Sequence, residues 1–90
     1  MQKVIFEGFS IGRYAYQTFY EYMQLNGASF VHMLDNHKEQ NYHQIWALNG
    51  VTIYYCKISP TEKTTIRLFG ETENISEIEK MILENEKKLK

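Results

Sequence analysis

One cysteine, three histidines and eleven carboxylates set the range of chemistry open to this chain. Cys56 and His43 lie in β-rich stretches on either side of Asn49-Gly50, a dipeptide that closes two-residue hairpins. That turn makes them cross-strand neighbours with Cβ atoms roughly 5 Å apart. Such spacing suits a Cys-His nucleophile pair or half of a metal site. Against it, a lone cysteine on an apolar strand is ordinarily a small buried side chain, and neither an orienting carboxylate nor an oxyanion loop accompanies this one. His32, Asp35 and His37 are close in sequence, but the first falls in a strand and the others at a turn, without zinc-ligand spacing. Glu7 interrupts an apolar first strand, either as an edge residue facing water or as an inward carboxylate. Gly8 and Gly12 do not make a phosphate loop, and no GxSxG, HExxH or paired-carboxylate signature occurs. No catalytic, metal-binding or cofactor-binding residue is assigned on this basis, and the chain is expected not to be an enzyme.

Charge and length narrow the remaining classes. Ten basic against eleven acidic side chains give a net charge of −1. That balance argues against a protein that holds nucleic acid mainly by neutralising phosphates. Ninety residues make one small α+β domain, expected to fill positions 1–90. The start, MQKVIFEGFS, has no apolar core or small-residue cleavage site of a signal peptide, and the apolar runs are too short for a membrane helix. The single cysteine excludes an internal disulfide framework and points to a reducing compartment or an indifferent thiol, and a cytoplasmic protein is expected. Eight Lys against two Arg, nine Ile, six Asn and only three Ala match the usage of AT-rich coding sequences, as in low-GC bacteria and their phages and plasmids.

Local pattern gives the elements. Lys3 to Phe9, rich in Val, Ile and Phe, reads as a strand. A helix is expected from Ile11 to Leu25, with Ser10 as N-cap, Phe9 and Tyr14 as a hydrophobic staple, and Asn26-Gly27 as its stop. SFVHML, YHQIWAL, VTIYYCKI and TTIRLF then read as four antiparallel strands, the middle pair joined by Asn49-Gly50. A second helix is expected from Ile75 to about Leu89, capped by Asn74 with Glu77 three residues on.

The turns fix which strand residues share a face. The Asn49-Gly50 hairpin sets Trp46 against Ile53, Gln44 against Tyr55, Tyr42 against Lys57 and His43 against Cys56. A five-residue turn at 59–63 would set Ile58 against Thr64, adding Arg67 and Phe69 to the Trp46 side and Ile66 and Leu68 to the Cys56 side. A five-residue turn at 36–40 would bring Phe30, His32 and Leu34 to the Trp46 side, and Val31 and Met33 to the other. On this register the small aliphatic face, with Val31, Met33, Ile45, Ala47, Tyr54, Cys56, Ile58, Ile66 and Leu68, is expected to be the core under two helices. Unless helix 1, with its four tyrosines, folds over it and leaves an ordinary two-sided core, the opposite face would then lie open. Its residues Phe30, Tyr42, Trp46, Ile53, Tyr55, Lys57, Arg67 and Phe69 are the expected partner-binding set, since exposed aromatic patches and Trp, Tyr and Arg mark interfaces.

The element order β-α-β-β-β-β-α resembles the TATA-binding-protein-like fold across the whole chain at the level of topology, and a cystatin-like arrangement resembles residues 3 to 70 almost as well. Members of the first fold bind DNA, lipids or proteins, so the resemblance implies a mainly antiparallel sheet with two helices on one face and carries little function with it. The functional expectation is a small non-catalytic regulator or inhibitor that binds another protein, itself as a homodimer, or both. A small ligand held between helix 1 and the sheet is the alternative, and weak single-strand nucleic-acid binding by an aromatic and basic face a further one.

Overall fold

The computed structural model describes residues 1–9, 14–36, 38, 41–58 and 63–88, with the side chains of residue 36 and of residues 85–88 left aside. Its elements run β1 (Gln2–Phe9), α1 (Tyr16–Leu25), β2 (Ser29–Asn36), β3 (Asn41–Leu48), β4 (Val51–Ile58), β5 (Lys63–Phe69) and α2 (Thr72–Lys88). All strand pairs are antiparallel, in the order β1-β5-β4-β3-β2. This is the expected α+β class, with strand order and helix count that fit the expected topology. Among the described residues no helix is long and apolar enough to cross a membrane.

The β3–β4 hairpin forms as its turn dictates. Asn49 at φ 50° and Gly50 at φ 77° both occupy left-handed backbone, the requirement of a type I′ turn. Every pair from Leu48↔Val51 to Asn41↔Ile58 follows the expected register. The β4–β5 pair does not. Ile58 lies opposite Lys63, not Thr64, so the connection spans residues 59–62 and is one residue shorter than expected. Because strand side chains alternate, this single step moves Ile66 and Leu68 to the Trp46 face and Arg67 and Phe69 to the Cys56 face. The turn between β2 and β3 is likewise one residue shorter than the expected 36–40, since Asn36 pairs with Asn41. Met33 and Asp35 therefore join the Trp46 face and His32 and Leu34 leave it, while a bulge between Phe30 and His32 returns Phe30 to its expected place opposite Trp46.

The covered face is therefore the reverse of the expected one. Once Ile66 and Leu68 line up with Ile53 and Tyr55, the Trp46 side holds most of the large apolar strand residues, and the amphipathic helices pack there. Phe19, Met23, Ile75, Ile78 and Ile82 from the helices join Trp46, Val51, Ile53, Tyr55, Ile66 and Leu68 in one buried cluster. Phe19 stacks on Tyr55 with ring centroids 4.7 Å apart, and Tyr20 meets the Trp46 indole edge-on at 5.2 Å, geometries that aromatic quadrupoles favour. On α2, Glu79 takes the Lys3 ammonium at 2.8 Å.

Both helices begin elsewhere than expected. α1 starts at Tyr16 behind Ala15, with no side-chain cap. Ser10 and Ile11 lie outside the described residues, and Phe9 ends β1 as an exposed side chain. Tyr14 packs on Phe6 instead, with ring centroids 4.6 Å apart, so the staple does not form. The stop holds: Gly27 takes φ 76°, and its N–H and that of Ala28 bond the Gln24 and Met23 carbonyls. α2 starts at Thr72, which places Asn74 inside the first turn and not at the cap.

Two tyrosines on this side test the role of buried hydroxyls. The Tyr55 hydroxyl donates to the Tyr14 carbonyl, whereas the buried Tyr22 hydroxyl has no partner among the described residues. Denaturant unfolding should find Tyr55→Phe destabilised by about 1–3 kcal/mol, and Tyr22→Phe neutral or slightly stabilised, because only the first leaves a buried carbonyl unpaired.

Candidate functional site

The eight expected partner-binding residues fall into three places. Trp46, Ile53 and Tyr55 are 1%, 0% and 0% exposed and belong to the core under α1 and α2. They form no open surface. Tyr42 and Lys57 lie on the same covered side but at its end, half-buried beside the start of α1. Phe30 sits on edge strand β2, half-exposed, with its ring edge-on to Trp46 at 5.4 Å. Arg67 and Phe69 point to the other side of the sheet. The expected mixture of cations and stacking rings is thus divided between two faces, and the single platform that a nucleic-acid reading relied on does not form.

The face that the helices leave open carries His43, Ile45 and Ala47 of β3, Thr52, Tyr54, Cys56 and Ile58 of β4, and Lys63, Thr65, Arg67 and Phe69 of β5. Val4 and Glu7 extend it onto β1, and His32 and Leu34 onto β2. No described element packs over it. Val4, Ile58 and Phe69 are 42%, 41% and 36% exposed, and Leu34 is more open still. Glu7 meets Lys63 at 3.3 Å, so this carboxylate is a surface ion-pair residue, as the water-facing reading had it. The apolar part of this surface was legible as the list Ile45, Ala47, Tyr54, Cys56 and Ile58. Its exposure was not, because the strand register decides which list the helices cover.

His43 and Cys56 are cross-strand partners here, as the hairpin requires. The Tyr54 hydroxyl and His43 Nδ1 are hydrogen bonded at 2.6 Å. Burial pushes the Cys56 thiol above its ordinary value, while the Tyr54 hydrogen bond and the Arg67 charge act in the opposite direction. The balance keeps Cys56 protonated at neutral pH, unlike the thiolate of an activated nucleophile. Burial likewise raises the Tyr54 phenol above its ordinary value. Among the described residues no three His, Cys, Asp or Glu side chains gather as a metal site.

A second feature lies on the helix side. Tyr16, Asp35, Tyr42 and Lys57 line a pocket of about 370 Å³. The Tyr16 hydroxyl donates to Asp35 Oδ1 at 2.9 Å, and the Tyr16 and Tyr42 rings meet edge-on at 5.8 Å. Burial first, and then the Asp35 carboxylate, hold the Tyr16 phenol well above its ordinary value. Spacing in the sequence groups Asp35 only with His32 and His37. His32 points to the opposite face, and His37 lies outside the described residues.

No protein-family model matches the chain, and comparisons with the curated proteins and with the solved structures find no match either.

The thiol gives a direct check on the open face. Iodoacetamide labelling of Cys56 should rise with pH through a midpoint above that of a free cysteine, about 8.5. Arg67→Ala should move that midpoint further upward, since it removes a cation that favours the thiolate. A midpoint at or below the free value would contradict the burial described here.

Proposed function

We propose that this is a non-catalytic, cytoplasmic binding protein that acts through protein–protein contact on the open face of its sheet, and that a second copy of the chain occupies that face. The observation that carries the reading is a five-stranded sheet with helices on one side only and Ile45, Ala47, Tyr54, Ile58 and Phe69 on the other. A solvated antiparallel face ordinarily alternates to polar residues. Here only part of it does.

Area supports a second copy. Five strands about 4.8 Å apart and about 25 Å long present roughly 600 Å² per partner. An isologous contact would bury about 1,200 Å² in total, at the lower end of specific interfaces. Two such faces stack as in sheet-on-sheet packing, with side chains interleaved across about 10 Å. A two-fold contact also needs only one patch, complementary to itself. Binding through this face sequesters it, which suits a regulator more than a scaffold.

Sedimentation tests the assignment. The wild type should pass from monomer to dimer as concentration rises. Ile45→Lys and Ile58→Glu should keep the wild-type circular dichroism while weakening the dimer at least about tenfold, the loss of a central apolar contact. Trp46→Glu, by contrast, should unfold the chain, since that side chain is core. A wild type that stays monomeric at every attainable concentration, or outward variants that dimerise as tightly, overturns the second copy as occupant.

A further inference from the structure

The pocket at the start of α1 carries an arrangement of charge that the open face does not explain. Asp35, Tyr42 and Lys57 are successive partners in one row across β2, β3 and β4. A carboxylate and an ammonium therefore flank a tyrosine ring, and with strands about 4.8 Å apart their backbones are about 10 Å apart. Tyr16 closes the row from above. Its hydroxyl holds Asp35 Oδ1, while Asp35 Oδ2 carries no bond to a described residue.

The walls are fixed before any ligand arrives. The buried Gln44 amide donates to the Tyr16 carbonyl at 2.9 Å and is itself held by the Trp46 indole N–H at 2.9 Å. Tyr16 also meets Tyr55 edge-on, at 6.0 Å. A pre-ordered wall lowers the entropic cost of binding.

We infer that this pocket binds a small zwitterion, an ammonium group and a carboxylate carried together on a short apolar body. Its ammonium would meet Asp35 Oδ2 and the faces of the tyrosine rings, where a cation is attracted by the ring quadrupole. Its carboxylate would meet Lys57, and its apolar body would lie on Tyr42. A simple amine is disfavoured by Lys57 and a simple acid by Asp35, so the pair selects for both charges at once. The pocket volume of about 370 Å³ is near the small end of ligand sites and fits an amino acid or dipeptide. This site lies on the helix side of the sheet and does not depend on association through the open face.

Titration of the wild type with L-phenylalanine, followed by the NMR signals of Tyr16 and Tyr42, tests the inference. L-phenylalanine should shift both sets of signals, with phenethylamine and 3-phenylpropionate each binding about tenfold or more weakly, the loss of one charge-assisted hydrogen bond. Asp35→Asn should abolish the advantage over 3-phenylpropionate, and Lys57→Gln the advantage over phenethylamine, with circular dichroism confirming that both variants fold. Glycyl-L-phenylalanine extends the test to dipeptides. If neither zwitterion shifts the signals at millimolar concentration, or both half-ligands bind as well as L-phenylalanine, the inference is wrong. An unchanged sedimentation profile on titration separates this outcome from that of the dimer.

Discussion

The position of α1 rests on two buried side chains of the sheet that hold backbone carbonyls at its start. Tyr55 donates to the Tyr14 carbonyl and Gln44 to the Tyr16 carbonyl, and the Trp46 indole satisfies the Gln44 oxygen. Each bond is modest in net terms, about 1 kcal/mol, but losing one strands a buried polar group at a cost of about 1–3 kcal/mol. The chain of donors also polarises, so its members support one another. With the two carbonyls fixed, α1 has one way to lie on the sheet. Phe19 falls on Tyr55, Tyr20 on Trp46, and the Tyr16 ring on the edge of Tyr42. The lack of a side-chain cap on α1 is consistent with this, because its entry is set by tertiary bonds and not by a local motif.

Much of the fold was readable residue by residue. Asn49-Gly50 specified a hairpin and, with it, every β3–β4 pair, including His43 with Cys56 and Tyr42 with Lys57. The failure came where a register depended on a loop without such a signature. Residues 59–63 contain a proline but no dipeptide that fixes a turn length, and a one-residue difference inverts a strand. The strand itself held the correction. In Lys63-Thr64-Thr65-Ile66-Arg67-Leu68, the apolar residues share a parity with Thr64, and the charges share the other. Placing Ile66 and Leu68 beside Trp46, Ile53 and Tyr55 yields one strongly apolar face, whereas placing them beside Cys56 spreads apolar area over both. The hydrophobic effect selects the first arrangement, since it removes the most apolar area from water under two helices.

The pocket was half legible for a related reason. The Asn49-Gly50 hairpin sets Tyr42 opposite Lys57, as the structure has them. Asp35 falls on the other face from the one expected because Asn36 pairs with Asn41, which leaves the β2–β3 turn one residue shorter than 36–40, and the bulge between Phe30 and His32 then absorbs the difference. Bulges have no sequence signature of the strength of Asn-Gly; they are set by how an edge strand must twist to follow its neighbour. The shorter turn places a carboxylate on the covered side, where Tyr16 holds it, and turns Leu34 outward, while the bulge keeps Phe30 beside Trp46.

That outward turn bears on the shape of the open face. Its polar residues concentrate on β5, with Lys63, Thr65 and Arg67, and continue through Glu7 on β1. On the β2–β4 part of the same face apolar residues concentrate, where Ile45 faces Tyr54 and Cys56 faces His43, with Leu34 beside His43 and Ile58 at the end of β4. The face is therefore a stripe with a charged flank and not a uniform patch. Specific interfaces have such a division, an apolar centre where water is excluded and a polar border that fixes orientation. If the stripe were only a solvated surface, selection for solubility would place Thr, Lys or Glu at positions 45, 54 and 58 at no cost to the core, because none of these side chains touches the helices. In the assembly proposed above, Ile45, Tyr54 and Ile58 would be the side chains that leave water.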